Sequence, residues 1–296
     1  MAWTLSTSLD DFHTHADGFL GARPAENTVL LTVADRLAKR GPHVFGDAAP
    51  VFGWWRREPG GPVEGAFLQT PPFAPRLSAM PERAAAALAT ELAAAGAEFT
   101  EITGVSGGEA AVRAFSAAWQ AATGVGDSVR SSERLYRLGE LTAPPRPPAG
   151  RHRVAAPGDR DLLIRWYEAF LTETGVELPN VPGAVDDRIA GGLLHVWEDE
   201  DRPVAMAGNS PVIAGMSRIG PVYTPVEARG RGYASGVTAA ASAAALAQGA
   251  AEVLLYTDLA NPTSNSIYQQ IGYRPVEDCL VLDFVGRTRR RDGRPG

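Results

Sequence analysis

The sequence has little cysteine and no long apolar run. Its only cysteine is Cys279, which excludes an intramolecular disulfide and a cysteine-based metal site and is typical of the reducing cytoplasm. No stretch approaches the ~20 continuous apolar residues that a membrane-spanning helix needs. The first 20 residues lack the apolar core of a signal peptide. We therefore expect a cytoplasmic protein without a membrane partner.

Lysine is almost absent as well. Lysine and arginine together number 28, and Lys39 is the single lysine. The net charge of -6 does not indicate a nucleic-acid-binding protein. The five histidines are scattered along the chain, so the sequence predicts no metal site.

Proline is concentrated at one place. Residues 143–150 read APPRPPAG, a run that can hold neither a helix nor a central strand. We interpret it as a linker between an N-terminal domain, residues 1–142, and a C-terminal domain, residues 151–296.

The two halves repeat each other weakly. In each half a strand hairpin is followed by a further strand and an alanine-rich helix, residues 82–95 in the first half and 234–248 in the second. The pattern predicts an α/β protein made of two copies of one mixed unit, each with a sheet flanked by helices.

A glycine-rich loop stands between a strand and a helix in the second half. Residues 217–224 form the strand, and Gly230 and Gly232 precede the helix. A helix start carries unpaired backbone N–H groups and favours anions, and glycine lets the backbone approach a phosphate closely. Arg229 and Arg231 add positive charge. The arrangement predicts a pyrophosphate site.

Two common phosphate motifs do not fit this loop. A Walker loop would continue with Gly-Lys-Ser/Thr, and here Gly-Tyr-Ala follows. A dinucleotide-binding motif would need a third glycine where Ser235 stands, and it would lie near the start of its domain.

The segment instead resembles the GNAT superfamily of N-acetyltransferases. Arg229-Gly-Arg-Gly-Tyr-Ala234 matches that family's Arg/Gln-x-x-Gly-x-Gly/Ala motif at each fixed position, and Asn261, Asn265 and Tyr268, followed by Gly272-Tyr273, are similar to its terminal segment. The resemblance covers about residues 151–285 and implies an acetyl-CoA-dependent transfer to a primary amine without a metal.

The resemblance also implies roles for individual residues. The backbone of Val222, Tyr223 and Thr224 would pair with the pantetheine arm, and Asn261 and Asn265 would contact the cofactor. Tyr268 would be the general acid for the departing thiolate. The pyrophosphate would be held by the amides of one continuous run: Arg229, Gly230, Arg231, Gly232, Tyr233, Ala234 and Ser235.

The general base is left open. Glu227 beside the loop is our first candidate, and Glu168, Glu173 and Asp258 are alternatives. The acceptor is expected to be a small-molecule or peptide amine, with protein termini or lysines as a narrower option, and the protein a monomer or homodimer. A non-catalytic acyl-CoA-binding regulator is the alternative function.

The first half lacks the elements that would bind CoA. Residues 76–83 read RLSAMPER where the glycine loop would align, and Trp119 stands in place of Tyr268. We expect a degenerate GNAT-like domain, an arrangement that resembles tandem members of the superfamily.

Overall fold

The computed structural model describes residues 2–95, 101–176, 178 and 180–285. The chain divides into two compact units. Unit 1 comprises Met1–Glu133 with Glu277–Gly296, and unit 2 comprises Arg134–Val276. This division differs from the one expected at residues 143–150, because that proline segment lies inside unit 2 and the end of the chain belongs to unit 1. Two strands, β6 (Gly126–Leu138) and β12 (Tyr273–Val285), run from one unit into the other.

Unit 1 is a mostly antiparallel sheet with helices. The elements are β1 (Ala2–Ser6), α1 (Leu9–Gly21), α2 (Thr28–Arg40), β2 (Val51–Arg56), β3 (Val63–Gln69), β4 (Arg76–Leu77), α3 (Glu82–Ala95), β5 (Gly104–Gly108) and α4 (Glu109–Thr123). The strands follow the order β1-β2-β3-β4-β5-β12; β4 and β5 pair in parallel, and the other described pairs are antiparallel.

Two hydrophobic clusters hold unit 1 together. Helices α3 and α4 cover one cluster with Leu88, Val112 and Phe115, into which Leu280 and Leu282 of β12 insert. Helices α1 and α2 form the other, around Phe12 and its neighbours. The sequence pattern also predicts a strand over residues 99–103. Residues 99 and 100 lie outside the described residues, and β5 begins after the predicted strand, at Gly104.

Unit 2 repeats the mixed architecture. The elements are β7 (Arg151–Val154), α5 (Arg160–Thr174), α6 (Val181–Ala190), β8 (Leu194–Asp199), β9 (Arg202–Asn209), β10 (Met216–Tyr223), α7 (Tyr233–Ala247), β11 (Glu252–Asp258) and α8 (Pro262–Gln270). The strand order is β6-β11-β10-β9-β8-β7, where β10 and β11 pair in parallel and the neighbours from β7 to β10 pair antiparallel.

Helix α7 lies close on its sheet because its inner face carries small residues. Val237, Ala241 and Ala245 are fully buried against Ala205 and Ala207 of β9. A parallel pair needs a crossover connection, and α7 supplies it between β10 and β11. The glycine loop therefore stands at the carboxyl ends of these strands. Among the described residues, no helix is long and apolar enough to cross a membrane.

Candidate active site

Strands β10 and β11 separate along their length. They pair only where Met216, Ser217 and Arg218 face residues 252–254, although β10 runs on to Tyr223 and β11 to Asp258. A register irregularity lies between Ile219 and Val222 on the β9 side, where pairing then resumes. The carboxyl-terminal half of β10 therefore presents a backbone edge toward β11 that no ladder pair uses in the described structure.

The residues predicted to contact a pantetheine arm lie at this edge. Tyr223 is buried, and Val222 and Thr224 are half-buried. The hydroxyl oxygen of Thr224 is inaccessible to solvent and has no hydrogen-bond partner among the described residues. Because a buried polar atom without a partner is unfavourable, this hydroxyl is a position that a bound ligand can satisfy.

The glycine loop adopts a conformation that leaves its amides free. Gly230 and Gly232 have φ of 78° and 82°, in the left-handed region that glycine adopts without strain. The first hydrogen bond of helical spacing in α7 runs from the amide of Gly236 to the carbonyl of Gly232, at 3.1 Å. Before it, the six amides of residues 230–235 have no acceptor in the part of the chain that the structure describes. Such a run of N–H groups is an anion-binding concavity.

Arg229 makes its contacts within unit 2, and its contact with the cofactor stays a prediction. Its amide donates to the carbonyl of Val226 at 3.3 Å, so it is not part of the free run. Its guanidinium donates to both carboxylate oxygens of Glu173, at 2.8 and 2.7 Å, and to the carbonyl of Thr224 at 3.0 Å. It also lies 5.9 Å from the ring centre of Tyr223. Arg229 thus joins the end of α5 to the end of β10.

The remaining loop residues divide between surface and interior. Arg231 is exposed, whereas Tyr233 and Ser235 are buried and Ala234 is half-buried. The Tyr233 hydroxyl donates to the carboxylate of Asp199 on β8. That bond and burial raise the pKa of Tyr233. Tyr233 therefore fixes the start of α7 on the sheet.

Tyr268 lies on α8 in the same hydrophobic cluster as α7. Only 8% of its surface is exposed, and its ring meets that of Tyr273 edge-on at 6.2 Å. Burial raises the pKa of Tyr268 to about 12, opposed by a hydrogen bond with Ser264. The phenol consequently carries its proton at neutral pH, the state required of a general acid.

The two asparagines form hydrogen bonds within unit 2. Asn261 caps α8, because its side-chain oxygen accepts from the amide of Ser264 at 3.0 Å. The Asn265 side chain donates to the carbonyls of Asp258 and Asn261 and accepts from the Tyr136 hydroxyl at 2.8 Å. Both side chains therefore organise the turn from β11 to α8, and their contact with the cofactor stays a prediction.

The candidate bases occupy different surroundings. Glu227 and Glu168 are exposed. Glu173 is held by Arg229, and an Asp258 carboxylate oxygen accepts from the amide of Ala260 at 2.8 Å. Because both carboxylate oxygens of Glu173 are already occupied by Arg229, the geometry favours Glu227, Glu168 and Asp258 over Glu173. No group of three potential metal ligands occurs among the described residues.

The proline segment is a neighbour of the loop that sequence reasoning missed. A methyl group added at Gly232 would stand 3.6 Å from the carbonyl oxygen of Arg146 and from Cβ of Pro148. The Trp197 indole donates to the carbonyl of Ala149 at 2.8 Å. The lack of a side chain at Gly236, which faces Pro148, is the one sequence signal that could have indicated this packing.

Comparison with known proteins supports the assignment of the fold. Residues 201–282 match the family model described as FR47-like protein. No curated protein matches this chain. The matched range begins at the β8–β9 turn and runs into β12, so it contains the strand opening, the glycine loop and Tyr268.

Solved structures cover nearly the whole chain. A GNAT-family acetyltransferase from Colwellia psychrerythraea is 13% identical with a TM-score of 0.59, over 97% of this chain and 100% of its own. A GCN5-related N-acetyltransferase from Sphaerobacter thermophilus is 14% identical with a TM-score of 0.64, over 96% of both chains. A third, from Kribbella flavida, is 20% identical with a TM-score of 0.51, over 75% of this chain and 87% of its own. Residues 201–282 therefore resemble the FR47-like family, and the chain has the fold of these GNAT-family acetyltransferases.

Proposed function

We propose that this protein transfers an acetyl or other short acyl group from acyl-CoA to a primary amine, and that unit 2 carries the reaction. The observation that carries the proposal is the run of six free amides at residues 230–235, beside the unused edge of β10. A pyrophosphate is an acceptor for the amides. The strand edge and the unpartnered hydroxyl of Thr224 suit the amide groups of a pantetheine arm.

The thioester of acyl-CoA supplies an activated acyl group with a thiolate leaving group. The neutral amine attacks the carbonyl carbon, so that a C–N bond forms and the C–S bond breaks. An N–H group at the β10 edge stabilises the oxygen of the tetrahedral intermediate. Tyr268 gives its proton to the departing sulfur, whose thiol has a pKa near ~8.5. Water or a carboxylate, with Glu227 as first candidate, accepts the amine proton.

Unit 1 is proposed to be a degenerate copy that binds no CoA. Four amides around the start of α3 already have acceptors: Ser78 donates to the carbonyl of Ala66, Ala79 to the side-chain oxygen of Asn27, and Ala84 and Ala85 to the carbonyl of Pro81. Trp119, aligned with Tyr268, stacks on Phe284 in the core. One CoA site per chain is expected.

The test is a calorimetric titration of the full chain with acetyl-CoA. Gly232→Glu puts a bulky anion where the pyrophosphate would lie. Losing two charge-assisted hydrogen bonds, at ~1.5–3 kcal/mol each, weakens binding by at least about 100-fold. Gly249→Glu is the matched control, because Gly249 has φ of 91° at the other end of α7 and the variant carries the same added charge and backbone strain.

Each outcome has a defined meaning. Binding of one acetyl-CoA per chain, lost in Gly232→Glu and kept in Gly249→Glu, supports the proposal. Binding that survives Gly232→Glu removes the pyrophosphate from this loop. Binding without thiol release across a panel of primary amines would favour the non-catalytic acyl-CoA-binding regulator instead.

A further inference from the structure

The proline segment, residues 143–150, is fixed within unit 2 at both ends. Just before it, Thr142 donates from its amide to the carbonyl of Ile271 at 3.1 Å and from its hydroxyl to the carbonyl of Gln270 at 2.9 Å. At its far end, Ala149 accepts from the Trp197 indole. Gly150 packs so tightly on Glu198 that an added methyl would stand 1.9 Å from its carbonyl oxygen.

Between these ends the segment crosses the start of α7. The Pro148 ring would be 2.8 Å from a methyl group at Gly236, and the Arg146 carbonyl 3.6 Å from one at Gly232. Its four prolines have fixed φ angles, so the segment has few accessible conformations. The main chain at Arg146 is therefore held beside the run of free amides.

Arg146 itself is uncommitted. Its side chain is exposed, and it has no hydrogen bond or ion pair among the residues that the structure describes. The neighbouring loop arginine, Arg229, is occupied by Glu173. In a protein with a net charge of -6, a polyanion at residues 230–235 needs local cations, and Arg146 is one that stands beside this loop.

We propose that Arg146 binds a phosphate group of the CoA-type ligand held by the amides of residues 230–235. The inference rests on the proposed function, and it makes the proline segment a wall of the cofactor site. The guanidinium pairs with two phosphate oxygens through parallel N–H donors, a geometry that arginine provides and lysine does not. The phosphate is either in the pyrophosphate or at the 3′ position of the ribose.

The experiment compares full-length wild type, Arg146→Gln and Arg137→Gln by calorimetric titration with CoA and with 3′-dephospho-CoA. Arg137 is the matched control: an exposed arginine of unit 2 that pairs with Glu252 at 3.4 Å. Glu252 is the first residue of β11. At ~3.3 Å per residue it lies about 20 Å from the carboxyl end of that strand, which is the end near the glycine loop. Circular dichroism checks that each variant is folded.

We expect Arg146→Gln to weaken CoA binding about fivefold to tenfold, as an exposed charge-assisted contact allows, and Arg137→Gln to change it less than about twofold. The difference should shrink at 0.5 M salt, where charges are screened. If Arg146→Gln loses affinity for CoA and keeps its affinity for 3′-dephospho-CoA, the contact is with the 3′-phosphate. If it loses affinity for both ligands equally, the contact is with the pyrophosphate.

Two results overturn the inference. If both variants bind CoA like wild type, Arg146 makes no contact, and the proposed function stands without it. If wild type binds neither CoA nor acetyl-CoA, the inference and the proposed function fail together.

Discussion

Gly236→Ala separates what helix propensity predicts from what the tertiary packing predicts. Gly236 lies in the first turn of α7 and is buried. Replacing a helical glycine by alanine ordinarily stabilises a protein by roughly 0.5–1 kcal/mol. On local grounds alone the substitution should therefore make unit 2 more stable.

The packing predicts the opposite sign. The new methyl would stand 2.8 Å from the Pro148 ring and 3.0 Å from two atoms of the Trp197 ring, closer than carbon atoms approach. Overpacking of this kind costs about 1–3 kcal/mol. Moving Pro148 away also weakens the bond between Trp197 and Ala149, worth about 1 kcal/mol. We expect net destabilisation of at least about 1 kcal/mol.

Hydrogen exchange resolved by peptide is the suitable measurement, because it reports the opening of each segment separately. Peptides from α7 should lose protection at least about fivefold, the equivalent of ~1 kcal/mol. Gly18→Ala is the control, since Gly18 lies within α1 and an added methyl meets nothing within 4 Å. It should raise protection in α1. If Gly236→Ala raises the protection of α7 as Gly18→Ala does in α1, the proline segment does not lie on this helix in solution.

Two further predictions concern titrating groups. Tyr268→Phe should lower kcat about 10- to 100-fold, near the low end for general acids, when thiol release from acetyl-CoA is measured with an amine acceptor. Unchanged turnover in the variant would remove the phenol from the mechanism. Because the pKa of Tyr268 is raised to about 12, deprotonation of this group should not lower the wild-type kcat below about pH 11. Burial lowers the pKa of His195, and the pKa of His152 is lowered by burial and by the charge of His195, to which it is hydrogen-bonded. Below about pH 6.5 the unfolded chain therefore binds more protons than the folded chain does. The stability of the folded state is full above that pH and decreases as the pH falls toward 5. Urea unfolding at pH 7 and pH 5 should show that the free energy of unfolding decreases less between these pH values in His195→Gln than in wild type. An equal decrease in both proteins would exclude the pair of histidines as the source of the pH dependence.

The local part of the site was predictable from the sequence. Gly230 and Gly232 stand between a strand and an alanine-rich helix, and the structure has β10 ending at Tyr223 and α7 beginning at Tyr233. The α/β class and two mixed units with flanked sheets were predicted correctly as well. These features depend on residues within about 20 positions of each other, where turn chemistry and periodicity are informative.

The long-range contacts were not predictable. The pairing of Arg229 with Glu173 joins residues 56 positions apart, and that of Asn265 with Tyr136 joins residues 129 apart. The proline segment was interpreted as a linker because its composition excludes regular structure, but composition does not indicate what an extended segment packs against. Only the fold brings Pro148 to Gly236.

Residues 277–285 of β12 complete the core of unit 1, although they follow unit 2 in the sequence. Cys279 pairs with Gly108 in unit 1, and all of unit 2 lies between them in sequence. During synthesis, unit 2 is complete before Leu280 and Leu282 have been made, whereas the core of unit 1 lacks these two side chains until then. Domains made first usually fold first; here the core of the N-terminal unit is completed only by residues that are made after unit 2. Deleting residues 277–285, the part of β12 that belongs to unit 1, should therefore damage the N-terminal unit, and translation that stops before residue 277 would leave it without its closing strand.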